Sequence, residues 1–375
     1  MTAKIYKKLA HHLDNLPGGF PSTDSGVELR ILKRLFSEEE AELAIRLTLI
    51  PEQAHVIARR ARISVKEARK RLEDMSRKGL IYRIAHYNGQ LLYNAAQFVI
   101  GIWEYHVNDL NPELIEDMEL YAPTLLDQSW KKMPQLRTIP IGRSITPQLD
   151  VLPYEVAEKL VWDKKKAVVA PCICRKERQM VGEGCDKPLE SCLVFGMGAD
   201  YYQHNGLGRV IERSEVLDIL KLADKSGLVL QPGNSRKIVN ICCCCGCCCA
   251  ILRNVRLQPN PASLIASAFI AALTPETCNG CGVCVKRCQM DALELKDDKV
   301  ALDLTRCIGC GLCVSTCPTK SLELERKPES EQPETPANVI ETGLQLGRAR
   351  GKLGAMSLAK MQLQSKIDRL LAAKK

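Results

Sequence analysis

The sequence predicts an α+β chain of several domains, and three observations carry that prediction. Paired helix-start signals followed by two apolar runs around an Asn-Gly turn organise the first hundred residues. A four-cysteine motif occurs twice, beginning at Cys278 and at Cys307. A proline-broken polar stretch, RKPESEQPETPA, then separates the second motif from a proline-free tail. On these signals the chain divides into residues 1–105, a cysteine-rich middle region 106–255, a cysteine- and glycine-dense segment 256–326, a linker 327–338 and a C-terminal helix 339–375. A length of 375 residues gives room for about two or three domains, each with its own apolar core.

Ser37 with Glu40 and Ser64 with Glu67 are Ser-x-x-Glu capping boxes, each marking a helix start. A helix is expected from near Pro51 through QAHVIARRA, and another from Val65 to Lys78 with Gly79 as its left-handed cap. LIYRIAH and QLLYNAA, separated by Asn88 and Gly89, read as a β-hairpin. Three helices and a β-ribbon in this order form a winged helix-turn-helix-like N-terminal domain, which resembles the MarR-like bacterial regulators in layout. The formal net charge is +9, yet residues 51–86 alone carry ten Lys or Arg against four acids. The basicity is local, and it argues for a polyanion or an acidic partner at that place.

Further along, helices are expected around Pro112–Tyr121 and Pro153–Trp162, and one from Ser214 to Gly227 that separates two groups of cysteines. In the tail, Leu353, Leu358, Met361, Leu363, Ile367 and Leu370 approximate one helical face, weakened in its first half by glycines at 343, 347, 351 and 354. That helix is expected to dock on the protein itself or on a partner protein, with the partner favoured.

Nineteen cysteines in a long chain whose start lacks a continuous apolar stretch do not describe a secreted disulfide scaffold. The longest nearly apolar run, Leu264 to Leu273, covers about half of the roughly 20 residues that span a bilayer. A soluble cytoplasmic protein with no transmembrane segment is expected, its thiolates held by metal or cluster in a reducing compartment.

CNGCGVCVKRCQ from Cys278 and CIGCGLCVSTCP from Cys307 space their cysteines by two, two and three residues. A cubane has four irons that each need a thiolate; closely spaced cysteines wrap three of them while glycines let the backbone approach. Zinc would use four thiolates and gives no reason to repeat a four-cysteine motif. The segment resembles the bacterial 2[4Fe-4S] ferredoxins, in which the last cysteine of each motif crosses over. The resemblance assigns Cys278, Cys281, Cys284 and Cys317 to one cluster and Cys307, Cys310, Cys313 and Cys288 to the other. One departure stands out: Pro318 follows Cys317, whereas Gln289 follows Cys288.

The remaining eleven cysteines fall in two groups. Cys172, Cys174, Cys185 and Cys192 supply four thiols that suit a cluster or a zinc ion, with Arg175, Lys176, Arg178 and Lys187 to offset their charge. In NICCCCGCCC, alternate side chains of an extended segment face opposite ways, so some thiols pack while others, among them Cys242, Cys244, Cys245, Cys247 and Cys248, are candidate ligands. One or more additional iron-sulfur clusters, bound jointly by the two groups, are expected. The order of PCICR, GCDKPLESCLVFG, the poly-cysteine segment and the ferredoxin repeat over about residues 1–325 resembles a group of iron-sulfur proteins of anaerobic bacteria, and implies electron transfer without naming a substrate.

No dinucleotide fingerprint, phosphate loop or Ser-His-Asp arrangement is present, and the histidines at 11, 12, 55, 86, 106 and 204 show no metal spacing. The leading expectation is therefore an electron-transfer protein or subunit that works with a partner oxidoreductase rather than a stand-alone enzyme. The alternative is a redox-sensing DNA-binding regulator that presents Lys66, Arg69, Lys70 and Arg71 to a duplex, although Glu67, Glu73 and Asp74 share that helix.

Overall fold

Five helices and a hairpin open the chain, two helices more than expected: α1 (Thr2–Asp14), α2 (Val27–Leu35), α3 (Glu38–Ala44), α4 (Ala54–Ala61), α5 (Val65–Arg77), β1 (Ile81–Ala85) and β2 (Leu91–Ala95). The computed structural model describes residues 2–86 and 88–372. Ser37 closes a complete capping box with Glu40, and Ser64 accepts from the Glu67 amide. The helix expected from Pro51 starts three residues later, because Glu52 is held in an isolated bridge to Tyr93. The β1–β2 ladder pairs Ile81 with Ala95 through Ala85 with Leu91. At its turn Gly89 takes a φ of +79°. Asn88 instead spends its side chain on the Gln90 amide at 3.1 Å.

The chain divides into two units, each assembled from separated stretches of sequence. The first unit joins residues 1–133, 197–207 and 343–375. Its core stacks Phe20 against Phe98 and Tyr121, with ring centroids 4.6 and 4.9 Å apart. The helix Pro112–Leu125, four residues longer than expected, is fixed to α2 by Arg30 and Arg34, which both pair with the buried Asp117. The helix Met197–His204 also belongs here: the Tyr201 hydroxyl donates to the Ser76 and Ile81 carbonyls at 3.0 and 2.9 Å.

The tail is not one helix. It forms Val339–Ala349 and Ala355–Leu371, separated where Gly351 takes a φ of +71°; residues 373–375 lie outside the described residues. Nor is a partner needed to seat it. Arg60 Nε donates to Asp368 Oδ2 at 2.9 Å and Ser365 Oγ to Glu52 Oε1 at 2.7 Å, so the chain docks the second helix on its own α4. Among the described residues no helix is long and apolar enough to cross a membrane.

The second unit joins residues 134–196 and 208–342 and contains all nineteen cysteines. Its main sheet is antiparallel throughout, in the order β5 (Arg209–Ile211), β3 (Ala167–Pro171), β4 (Glu190–Phe195), β7 (Asn240–Cys244) and β6 (Val229–Pro232). The helix Arg213–Lys225 spans nearly the residues expected of it. The stretch Pro153–Trp162, expected as one helix, is instead a 3₁₀ turn at Pro153–Glu155 and a short helix at Ala157–Val161. Two small ladders follow: β8 (Phe269–Leu273) with β11 (Leu322–Arg326), and β9 (Leu293–Lys296) with β10 (Lys299–Leu302). The polar stretch 327–338 is not a free tether, since Pro336 and Ala337 carbonyls accept from the Arg236 and Lys237 amides at 2.7 and 3.0 Å.

Candidate functional site

The β8–β11 ladder brings the start of the first cysteine motif beside the end of the second, and two cavities open between them. One, with about 390 Å³ of empty space, is lined by Cys307, Cys310, Cys313 and Cys288 together with Ala271, Met290, Leu302 and Leu324. The other, about 300 Å³, is lined by Cys278, Cys281, Cys284 and Cys317 with Leu273, Val300, Pro318 and Leu322. Each cavity thus takes three cysteines from one motif and the last from the other, the same sets that the ferredoxin resemblance implies. Four thiols gathered around one space fit an inorganic cluster that needs four thiolate ligands.

Local backbone supports that fit. Gly309 takes a φ of +65°, and a Cβ there would lie 2.1 Å from the Phe269 carbonyl oxygen, so only glycine lets the second motif turn this tightly. The Ala271 amide donates to Cys307 Sγ at 3.4 Å and the Ala292 amide to Cys288 Sγ at 3.2 Å. Without counter-charge, burial pushes the Cys288 and Cys313 thiols up and Cys310 up to about 12. Thiolate ligation at these sites therefore needs the compensating charge of a metal centre.

Gln289, where the second motif has Pro318, has a defined task. Its Oε1 accepts from the Gly246 amide at 2.7 Å, and a Cβ on Gly246 would lie 2.2 Å from the Gln289 carbonyl oxygen. Proline offers no such acceptor. The poly-cysteine loop is thereby fastened to the residue next to Cys288.

The other eleven cysteines regroup in a way the sequence order hides. Strand β7 sets Cys242 and Cys244 on one face and Cys243 on the other, as strand alternation demands. Cys192, directly opposite Cys242 on β4, shares that face. Thiol contacts then run from Cys192 to Cys242, Cys244, Cys249, Cys174 and Cys172, a continuous set of six. The contacts to Cys192 and Cys244 hold Cys242 well below the usual thiol range, and those to Cys174 and Cys244 do the same for Cys249. The complementary contacts push Cys174 and Cys244 up.

Cys185 does not join its sequence neighbours. It lies with Cys245, Cys247 and Cys248, and the four sulfurs are all within 4.8 Å of one another. Cys172, Cys174, Cys185 and Cys192, neighbours in the chain, thus part in space: helix Ile173–Met180 and the loop after it carry Cys185 away from the β3–β4 face. Cys249 joins the six-thiol set through Cys174 and Cys244. It caps the helix Ala250–Arg256, and its signal was only its membership of the cysteine run. Cys243 faces away from both sets, and burial pushes its thiol up.

Arg175 sits between the two sets with 0 % exposure. Its Nη1 donates to Ser191 Oγ at 2.7 Å, and its Nη2 to the Cys243 carbonyl at 3.1 Å and to Cys245 Sγ at 3.6 Å. Of the four cations expected to offset thiolate charge, Arg175 is the one buried among the thiols. Burial pushes the Cys245 thiol up to about 11 against the pull of Arg175. Burial also raises Cys185, but the Lys187 amide and the neighbouring thiols outweigh it and bring that thiol down to about 7.

On α5, Lys66, Arg69 and Lys70 are exposed, whereas Arg71 donates to Glu67 at 3.2 Å and to the Glu39 carbonyl at 2.6 Å. Two of the histidines take structural partners: His204 meets Glu73 at 2.9 Å and His106 the Ile102 carbonyl at 2.7 Å.

Comparison with known families matches residues 277–321 to the 4Fe-4S dicluster domain. No curated protein and no solved structure matches the chain.

Proposed function

We propose that this protein is an iron-sulfur electron-transfer protein or subunit, with the dicluster segment 277–321 as its exchange point with a partner oxidoreductase. The observation that carries the reading is the lining of the two cavities: each combines three cysteines of one motif with the last of the other. Cys278, Cys281, Cys284 and Cys317 hold one [4Fe-4S] cluster; Cys307, Cys310, Cys313 and Cys288 hold the second. When bound, such clusters supply one-electron couples that span about −700 to +450 mV across proteins. The chain tunes the second of them through the amides of Ala271 and Ala292, which donate to the Cys307 and Cys288 sulfurs and stabilise negative charge there. The six-thiol set Cys172, Cys174, Cys192, Cys242, Cys244 and Cys249 holds a further cluster, with Arg175 as its buried counter-charge. Gln289 links the poly-cysteine loop to the second cavity and gives the electron a short protein route between them.

The test is iron and acid-labile sulfide in the full chain prepared anaerobically, followed by electron paramagnetic resonance after dithionite reduction. Counts near twelve of each support three clusters; counts near eight remove the third, and counts near zero remove the reading itself.

A second reading rests on the exposed Lys66, Arg69 and Lys70 of α5, which the β1–β2 hairpin follows. It makes the protein a redox-sensing DNA-binding regulator. Residues 1–100 alone are a poor test, since Tyr201 and Asp368 help to hold this unit together. The full chain should shift random duplex DNA at about 50 mM salt, where phosphate neutralisation is strongest; absence of a shift there removes the regulator.

A further inference from the structure

We infer that Cys185, Cys245, Cys247 and Cys248 form a separate mononuclear site, which holds one tetrahedral divalent ion on four thiolates and no cluster. The argument is one of spacing. Zinc binds thiolate at about 2.3 Å, and a regular tetrahedron with that centre-to-corner distance has edges of about 3.8 Å. The sulfurs of Cys185 and Cys245 are 3.9 Å apart, those of Cys185 and Cys248 3.6 Å, and those of Cys247 and Cys248 3.7 Å. A cubane carries its thiolates on four different irons, which stand apart from one another, so its ligands are more widely spread than those of a single ion.

The chain contains its own control. Among the described residues, the quartet is the only group of three or more metal-ligating side chains whose ligand atoms all lie within 4.8 Å of one another. The eight dicluster thiols, ringed around cavities, form no such group. Identical chemistry is thus held at two spacings, and the shorter one suits a single ion.

The surroundings agree with an ion of this kind. Four thiolates and a divalent ion carry a net charge of −2, and the buried guanidinium of Arg175 donates to Cys245 Sγ at 3.6 Å. Cys185 comes from the loop after helix Ile173–Met180, the other three from the turn between β7 and helix Ala250–Arg256. One ion therefore ties two loops together, and Gly246 between the ligands is the residue fastened to Gln289. The site is a pin that fixes the poly-cysteine loop against the second cluster cavity. Zinc, with no geometric demand of its own, fits it best; ferrous iron shares the same ligand chemistry.

The experiment measures zinc, iron and sulfide per chain in full-length protein prepared anaerobically with both metals supplied, for wild type, Cys247→Ser and Cys247→His. The expected result is one zinc per chain, lost in Cys247→Ser with iron and sulfide unchanged, and retained in Cys247→His because imidazole replaces a thiolate. Zinc absorption-edge spectroscopy should show four sulfurs at about 2.3 Å in wild type. The iron arm of the same proposal is one iron in excess of sulfide that disappears in Cys247→Ser and returns in Cys247→His. Loss of about four irons and four sulfides in Cys247→Ser, or metal content the same in all three proteins, overturns the mononuclear site. Zinc is read separately from cluster iron, so failure here leaves the dicluster reading standing.

Discussion

Arg175 offers the sharpest test of how the extra thiols are held. Replacing it with methionine keeps most of the volume and removes the charge, together with donors to Ser191 Oγ, the Cys243 carbonyl and Cys245 Sγ. At 3.6 Å and an effective dielectric of about 20, the attraction between the guanidinium and one thiolate is roughly 332/(20 × 3.6), or about 5 kcal/mol. The full amount does not appear in metal affinity. A bound ion already neutralises half of the charge on four thiolates, and removal of a hydrogen-bonding neighbour of a metal ligand typically costs 10- to 100-fold, or about 1.4 to 2.7 kcal/mol. We expect zinc affinity, measured by chelator competition at pH 7.5 on anaerobic full-length protein, to fall within that range in Arg175→Met. Arg175→Lys should fall less, since it keeps the charge but not the fork of donors. The fold should lose about 3 kcal/mol, because buried acceptors are left unpaired. If Arg175→Met is folded by circular dichroism and its zinc affinity lies within about threefold of wild type, the guanidinium is not the counter-charge of this site.

Four further outcomes follow from the geometry. Cys317→Ser and Cys278→Ser should perturb the same component of the reduced paramagnetic resonance spectrum, and Cys288→Ser the component altered by Cys310→Ser; pairing by motif instead of by cavity would refute the crossing. Gln289→Ala frees the Gly246 amide, at a cost of about 1 to 2 kcal/mol, so hydrogen exchange in residues 245–249 should speed up about 10-fold, and an unchanged rate would show that the link carries no load. Gly309→Ala combines left-handed strain with a carbonyl 2.1 Å from the new Cβ, and should lose about four irons; Gly182→Ala, with similar φ and open space, should cost only about 1 kcal/mol and keep its iron. The fourth concerns acid. Burial, with help from His11, lowers His12 to about 4, so the unfolded chain binds a proton at that position between about 6.5 and 4 that the folded chain refuses. Stability is then full above pH 6.5 and falls by up to about 3 kcal/mol as pH drops toward 4, and His12→Leu should flatten denaturant midpoints across that window relative to wild type.

Chemistry that is local in the chain was legible from the order of residues. The paired motifs at Cys278 and Cys307 announce clusters because a cubane needs closely spaced thiolates, and that spacing is a property of the sequence alone. The boundaries of α3 and α5 were similarly readable, since Ser37 and Ser64 cap amides only three residues away. Strand alternation puts Cys242 and Cys244 on one face of β7 and Cys243 on the other. What remained hidden depends on which distant segments meet. Cys185 lies seven residues before Cys192 but shares its site with Cys245, Cys247 and Cys248, because the β3–β4 connection turns it away from the sheet face that carries Cys192. Gln289 looked like a departure from a motif until Gly246, forty-three residues earlier, came within 2.7 Å of it. The leucines of the C-terminal helix do not say that its seat is Arg60 and Glu52 of its own chain. The sequence by itself determined that this protein binds clusters, through ligands close enough in the chain to be counted. Tertiary structure alone decided how eleven further thiols are shared out, because a metal centre responds to distance in space, and only folding brings residues 185 and 245 to within 4 Å.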